Sequence, residues 1–488
     1  MGIGGERNPA SPQIAFEPLS FGGSCRRPDL TRVAALLVGH LAPAVAVIAI
    51  FFVASELVTP EARAVPAYSR KYHLQCSACH TRFPRLNTYG ERFLENGYQL
   101  PGTEDGGLLG KARMGELALD DVKNYLGFQI EGHPLRAVQQ TGRPGGQPVK
   151  DDIEFGFPEE FELFATGTLA KNISFYLEFE HEPNDSNSGV NLEVASVIFS
   201  NLGRHQMANL RVGRFDLSTF FSLPAQRLMI TNVDAEQGSA GAFQMPTVTR
   251  LALIPSALSA NYSGLFTRSG KSIGTTDRSL YNAESEVGID IYGRPFGDWF
   301  FYQAGLVNGP GESSSDSNKN KDWYVMTRFD YARSNYFAAN VSGFAYIGNK
   351  NVKLANQQDV SWSRYGVSAN VRYKMVDIYG AYTWNKISGL SGASAAGFDS
   401  TASGLTIEAD VLVSDDTMFS LRYDNSDAGG DLATRTSSSL GTVQVRHYLF
   451  PNLSISLRDT FNLRETAGGT APERSLRNAL LAGLEIVF

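Results

Sequence analysis

From about residue 120 to the last residue, apolar and polar side chains alternate along the chain with a period of two. The alternation is clearest in residues 367–373, 405–411, 419–424 and 453–458. Successive side chains of a β-strand point to opposite faces, so this period predicts strands with one apolar and one polar face. The glycine count of 48 and the aromatic content of 11% suit turns and aromatic girdles better than a helical bundle.

The connections between these strands alternate as well, between short turns and long polar loops. Short turns are predicted near residues 295–298, 374–375, 414–416 and 451–452. Long loops are predicted at residues 309–321, 348–360, 386–403, 425–438 and 465–475. This sorting is typical of barrels in the bacterial outer membrane, with short periplasmic turns and long extracellular loops. The final strand alternates from Leu480 to the terminal Phe488 and resembles the carboxy-terminal strand of such proteins.

The predicted fold class is therefore an all-β transmembrane barrel of antiparallel, up-and-down strands. About seventeen segments qualify as strands, and bacterial single-chain barrels use even numbers, so we predict 16 strands, with 18 as the alternative. Residues 218–255 fit no strand and are predicted to fold inward or to form a long external loop. The predicted lipid face includes Val367, Ala369, Leu405, Ile407, Leu421, Ile455 and Ile486.

Four arginines fall on the polar face of their strands: Arg328, Arg372, Arg422 and Arg458. We expect them to form ion pairs inside the barrel with Asp330, Asp410 and Asp424. The alternative is a charged pore lining.

The first 64 residues predict a secretory signal peptide. Arginines precede an apolar run over residues 33–54, and the small-x-small pattern Ala62-Arg63-Ala64 follows it. We expect cleavage after Ala64, although an apolar run of this length could also be a retained membrane helix. Cys25 lies in this segment, so no disulfide is predicted. The predicted organisation is a signal peptide at 1–64, a small α-helical module at 65–115 and a porin-like barrel at 116–488.

The module contains Cys76-Ser77-Ala78-Cys79-His80, a C-x-x-C-H motif. This motif is typical of covalent c-type haem attachment, in which two thiols bind one porphyrin and the histidine is an axial ligand. No second cysteine pair is present to complete a zinc site. We therefore predict one haem c, attached at Cys76 and Cys79, with His80 as the proximal iron ligand.

The residues after this motif predict a helix. Pro84 suits its first turn, and Gly97 is placed to end it in a left-handed conformation. Gly90 lies on its apolar face with Leu86 and Phe93, where a glycine allows close approach of a haem or of an ordinary apolar neighbour.

The stretch from Val65 to Tyr98 resembles the haem module of the fused outer-membrane cytochrome–porin family of iron-oxidising bacteria. The resemblance covers about 35 residues, and the remainder matches only in architecture, a single-haem module before a barrel. The matching positions are Pro66, Tyr68, Arg70, Cys76 to His80, Pro84, Leu86, Asn87, Tyr89, Gly90, Gly97 and Tyr98.

The resemblance implies an electron conduit between an extracellular donor, ferrous iron or another reductant, and a periplasmic cytochrome or other carrier. An iron oxidase-type activity would follow. The alternatives are a transport porin whose haem module is a plug or sensor, and a reductase that moves electrons outward. Expected partners include outer-membrane lipid, and the net charge of −7 argues against nucleic acid.

The second axial ligand of the haem iron is left open by the sequence. Met114 is the only methionine between the motif and the barrel, and His73 and His133 are alternatives. A barrel residue or an open position are further possibilities.

The charges favour a module inside the barrel. Residues 65–115 carry seven basic and four acidic side chains, a net charge of +3, whereas the following residues carry −10. A bilayer core is about 30 Å thick, too wide for efficient electron transfer from one haem at its surface. We therefore predict that the module enters the lumen as a redox-active plug, the alternative being a flexible periplasmic domain beside an open pore.

Overall fold

A computed structural model of the 488-residue chain gives its fold. It describes residues 67–82, 85–100, 113–114, 117–118, 125–141, 150–181, 183, 189–203, 206–216, 229–230, 267–268, 271–272, 285–309, 320–334, 337–352, 358–391, 397–430, 436–467 and 475–488. The predicted signal peptide, Pro66 and Pro84 lie outside these residues.

Residues 125–488 form a closed antiparallel barrel. Its strands are β5 Leu126–Thr141, β6 Lys150–Glu154, β7 Glu160–Ala170, β8 Ile173–His181, β9 Val190–Leu202, β10 Ala208–Asp216, β13 Ser285–Gly293, β14 Phe300–Val307, β15 Asp322–Ser334, β16 Phe337–Val352, β17 Gln358–Tyr373, β18 Val376–Ser391, β19 Gly397–Ser414, β20 Thr417–Gly430, β21 Thr436–Phe450, β22 Leu453–Ala467 and β23 Ser475–Val487. Within the described residues, three two-stranded hairpins lie outside the barrel sheet: β1 His80–Arg82 with β2 Arg85–Leu86, β3 Arg113–Met114 with β4 Leu117–Ala118, and β11 Thr267–Arg268 with β12 Lys271–Ser272.

Strands β6 and β7 are two pieces of one interrupted strand, because they pair with different halves of β5. At the interruption Glu159 turns inward, and its carboxylate lies 2.8 Å from His133 Nδ1 and 3.0 Å from Arg136 Nε. Counted in this way the barrel has 16 strands, as predicted. It closes where β23 pairs with β5, next to the stacked rings of Phe128 and Phe488.

The two faces of the wall follow the predicted alternation. Val367, Ile407 and Leu421 are 40–50% exposed on the outside. Ala369 is exposed too, and the other predicted lipid-facing residues, Leu405, Ile455 and Ile486, are partly exposed. Their polar neighbours, such as Thr406, are buried. An apolar exterior around a polar interior is the architecture of outer-membrane barrels, and the chain is one of them.

Short turns and longer connections are sorted to opposite ends, as predicted, but the strands extend further than the sequence indicated. Strand β18 continues to Ser391 and β19 begins at Gly397, inside the loop predicted at residues 386–403. A tilted strand needs only about 9–11 residues to cross a bilayer. Beyond the membrane, polar residues therefore continue the backbone pairing of the strands. Because these residues form no apolar face, the alternation of apolar and polar side chains does not identify them as strand.

Three short helices precede the barrel: α1 Ala67–Tyr72, α2 Cys76–Cys79 and α3 Thr88–Glu95. None of the helices in the described ranges has the length and apolarity needed to span a membrane. Helix α3 begins later than predicted, because Asn87 caps it and accepts a hydrogen bond from the Gly90 N–H at 2.9 Å. It ends as predicted, with Gly97 at φ +65° and the Tyr98 N–H donating to Phe93 O.

Candidate functional site

Residues 67–82 and 85–100, which contain helices α1 to α3, are called the helical segment below. They lie inside the end of the barrel that carries the short turns, where buried ion pairs connect them to the wall. Arg85, which is 2% exposed, lies 2.9 Å from Asp377 and 2.7 Å from Asp410. Glu408 lies 3.8 Å away. Burial alone would lower the pKa of Arg85, but these carboxylates raise it above its ordinary value, so the side chain stays charged. We call these four residues the Arg85 cluster.

A second cluster has the opposite arrangement, with an acid from the segment among arginines from the wall. The Glu95 carboxylate accepts hydrogen bonds from Arg294 at 2.7 and 3.0 Å and from Arg328 at 2.6 Å. Burial raises the pKa of Glu95 to about 7, while Arg328 and Arg92 act in the opposite direction. We call Glu95, Arg294 and Arg328 the Glu95 cluster.

Aromatic side chains form the third contact between the segment and the wall. The Tyr98 ring stacks between Tyr68 at 5.2 Å and Tyr176 of strand β8 at 5.5 Å, measured between ring centroids. Phe93 packs edge-on against Tyr68 at 5.0 Å. Apolar side chains of the segment are thus buried against the wall, so the helices pack into the lumen.

The C-x-x-C-H motif is held by helix α3. Asn87 donates from its side-chain amide to Ser77 O at 3.2 Å and Ala78 O at 3.0 Å, and its backbone N–H donates to Cys79 O. A Cβ at Gly90 would lie 2.1 Å from Cys79 O. The glycine therefore allows α3 to pack directly on the backbone of α2, and this contact explains Gly90 without a flat ligand.

The motif opens into a cavity of about 320 Å³ between the segment and the wall. On the segment side its lining includes Cys76, Cys79 and His80, with apolar residues such as Leu86 around them. Binding sites for small molecules and cofactors measure roughly 300–1,000 Å³. Two thiols and a histidine on one wall of such a cavity are the donor set of a covalent c-type haem, so the residues present fit this group.

The thiols of the motif are half-buried and behave as neutral groups. Burial and the neighbouring Cys79 raise the pKa of Cys76 to about 11, and burial raises the pKa of Cys79 as well. Because the thiolate is the reactive form, we expect both cysteines to react slowly at neutral pH when no haem is attached.

The opposite wall of the cavity comes from the barrel and is rich in oxygen atoms. Strands β7, β8 and β9 contribute Glu162, Tyr176, Glu178 and Ser196. One ligand oxygen each of Glu162, Glu178 and Glu193 lies within 4.8 Å of the others. The cavity thus has a mainly apolar side that carries the motif and an acidic side that belongs to the barrel.

The structure does not bring the two histidine candidates for the second axial ligand to the cavity that the C-x-x-C-H motif lines. His73 is exposed, its backbone φ is +54°, and it is not among the residues that line the cavity. His133 is 2% exposed and lies against Glu159 in the barrel wall, away from the cavity lining. Met114 belongs to hairpin strand β3, and its side chain lies outside the described part of the chain.

The predicted lumen ion pairs form in part. Arg328 pairs with Asp330 at 2.9 Å and Arg422 with Asp424 at 2.7 Å. The expected role of Asp410 was wrong, because this carboxylate pairs with Arg85 of the helical segment. The two remaining arginines also have other partners: Arg372 pairs with Asp377 at 3.0 Å, and Arg458 donates to Gln444 at 3.0 Å.

Two residues from the stretch without strand pattern also lie in the lumen. The Met229 N–H donates to Glu408, and Ile230 O accepts from Arg422 at 2.8 Å. Both residues are fully buried, which agrees with the inward-folded alternative for residues 218–255. Glu408 therefore joins Met229 to the Arg85 cluster, of which it is a member.

Arg85 and Glu95 were missed as contact residues by the sequence interpretation. Their partners are more than a hundred positions away, so no local pattern marks them. The opposite net charges of residues 65–115 and the following chain were the only available signal, and they indicated attraction without naming a pair.

Solved outer-membrane porins are similar to this chain in fold. The channel DcaP of Acinetobacter baumannii is 8% identical, with a TM-score of 0.48 over 74% of this chain and 96% of that one. An anion-selective porin from Comamonas acidovorans is 14% identical, with a TM-score of 0.45 over 74% and 98%. OmpF of Salmonella typhi, in complex with daunomycin, is 12% identical, with a TM-score of 0.42 over 76% and 98%. No protein-family model matches the chain, and no curated protein matches it significantly.

Proposed function

We propose that the protein is an electron conduit of the bacterial outer membrane, with one covalent c-type haem held inside its barrel. The observation that supports the proposal is that Cys76, Cys79 and His80 line one cavity together with residues of the barrel wall. A haem here would carry one electron at a time by cycling between ferric and ferrous iron.

The roles of the chain's own residues follow from their chemistry. Cys76 and Cys79 would hold the porphyrin through two thioether bonds, each formed when a thiol S–H adds across one vinyl group. His80 would supply an iron ligand, and Asn87 holds the turn that carries all three residues. The Arg85 and Glu95 clusters keep this assembly in the lumen, which shortens the distance to the far side of the bilayer.

Haem attachment tests the cofactor directly. Protein matured in a host that attaches c-type haem should contain one covalent haem per chain in a pyridine haemochrome assay. Replacing both cysteines by alanine should abolish it, and the Cys25→Ala variant serves as the control. Wild-type protein without covalent haem rules the proposal out.

Electron transfer is tested in intact cells. An impermeant reductant should reduce the haem of the wild type, and the double cysteine variant should show no such signal. Extracellular ferrous iron is the donor we propose first, and a periplasmic cytochrome or comparable carrier is the acceptor. Outward flow, observed as reduction of an impermeant acceptor by periplasmic electrons, would assign the reductase alternative instead.

A transport porin with a haem plug is the second candidate, because the barrel has a polar lumen. The redox assay with an impermeant donor in intact cells separates it from the conduit, whereas single-channel conductance tests the plug that both candidates share. A plug predicts low conductance that rises to porin-like values when residues 65–114 are deleted. Full, steady conductance of the intact protein, unchanged by this deletion, contradicts a plug.

A further inference from the structure

We infer that the barrel supplies the second half of the haem site, so that strands β7–β10 form the wall opposite His80. This inference rests on the proposed function and deepens it. It assigns a cofactor-binding role to barrel residues that lie far from the C-x-x-C-H motif in sequence.

The inference rests on the cavity, because residues of the helical segment and residues of the barrel both line it. The motif and helix α3 form one side, and Tyr176, Val194, Ser196 and Phe215 belong to the other. Ser196 is 4% exposed and Phe215 is 1% exposed, so both residues are buried in this wall. A flat group bonded to Cys76 and Cys79 that extends into the cavity would therefore lie against the barrel.

The wall is held in place independently of the helical segment. Its strands continue the barrel ladder, with β8 paired to β9 and β9 to β10. Arg211 also lines the cavity, and its guanidinium lies over the Phe215 ring at 4.1 Å and pairs with Asp290 at 2.6 Å. A rigid wall fixes the volume and polarity of the cavity, and both control the surroundings of a haem.

Two consequences distinguish this arrangement from a haem held by the helices alone. A bulky side chain added to the barrel wall of the cavity should interfere with the haem, although the attachment motif belongs to the helical segment. The same addition at a lumen position outside the cavity should have no such effect. Overpacking a filled space is destabilising, so a bulky side chain should interfere with the haem only where it projects into the cavity.

The test compares Ser196→Trp with Ser368→Trp in the full-length protein. Ser368 is a matched control, because it is 5% exposed, faces the lumen from strand β17 and does not line the cavity. Ser196→Leu, a smaller addition, covers the case in which tryptophan prevents folding. Heat-modifiable electrophoretic mobility selects folded barrels, and haem is measured per folded chain together with its absorption spectrum.

We expect Ser196→Trp to lower covalent haem per folded chain at least about threefold, or to shift the Soret band, while Ser368→Trp matches the wild type. Folded Ser196→Trp and Ser196→Leu proteins with wild-type haem content and spectrum overturn the inference. Wild-type protein without haem is a different result, because it removes the proposed function itself.

Discussion

Replacing Arg85 by alanine should release the helical segment from the lumen. Arg85 is the only cation that the described residues place within 4 Å of Asp410, at 2.7 Å, whereas Asp377 keeps Arg372 at 3.0 Å. Removing one partner of a buried ion pair costs roughly 3–5 kcal/mol, because the remaining charge stays buried and unpaired. At 1.4 kcal/mol per factor of ten, docking should weaken by roughly two to three and a half powers of ten.

Trypsin cleavage at Arg70 and Lys71 in folded barrels reports this change. The urea concentration at which these sites become accessible should fall strongly for Arg85→Ala, and single-channel conductance should rise in parallel. Arg92→Ala is the comparison, because Arg92 pairs with Glu95 at 3.5 Å within helix α3 itself and with the exposed Asp298 at 3.6 Å. The pair within the helix does not join the segment to the wall, and exposed pairs contribute about 0.2–1 kcal/mol, so this variant should weaken docking much less than Arg85→Ala.

A double variant separates charge from packing. Arg85→Ala combined with Asp410→Asn removes the unpaired carboxylate and should recover part of the lost docking energy. The reasoning is refuted if Arg85→Ala resists trypsin as well as the wild type and has the same conductance. It is also refuted if the conductance of Arg85→Ala is no higher than that of Arg92→Ala.

Three further predictions concern the wall, the helix contact and the thiols. Leu421→Arg on the lipid face should destabilise folding in bilayers by about 2–4 kcal/mol in a urea titration; a Leu421→Arg barrel as stable as the wild type would contradict a lipid-facing Leu421. Gly90→Ala should reduce covalent haem per chain, because its Cβ would lie 2.1 Å from Cys79 O, and equal haem content would contradict this contact. In haem-free protein, alkylation of Cys76 should accelerate about tenfold per pH unit from pH 8 to 10 and level off only near 11, since the thiolate is the reactive form; a plateau near pH 8 would show an unburied thiol.

The barrel was predictable because one physical constraint repeats along its whole length. Each strand separates lipid from a polar lumen, so alternation fixed the orientation of residues such as Ile407 and Thr406 without any long-range information. Strand ends were less predictable, because beyond the bilayer only backbone pairing continues, as it does at Ser391.

The candidate site was predictable only where its chemistry is local. Cys76, Cys79 and His80 are adjacent in sequence, so spacing alone identified them. The start of α3 was misplaced because the cap at Asn87 prevailed over the preference of Pro84 for a first turn. The Arg85 and Glu95 clusters join distant parts of the chain, and net charge cannot select Asp410 from the other lumen carboxylates.

The two ion clusters also constrain the order of assembly. In sequence, 233 positions separate Glu95 from Arg328, and 286 separate Leu86 from its contact with Arg372. Strands β15 to β19 must therefore be in place before the two ion clusters can form. The amino-terminal helices are made before these strands, so their docking is completed only at a late stage of barrel assembly.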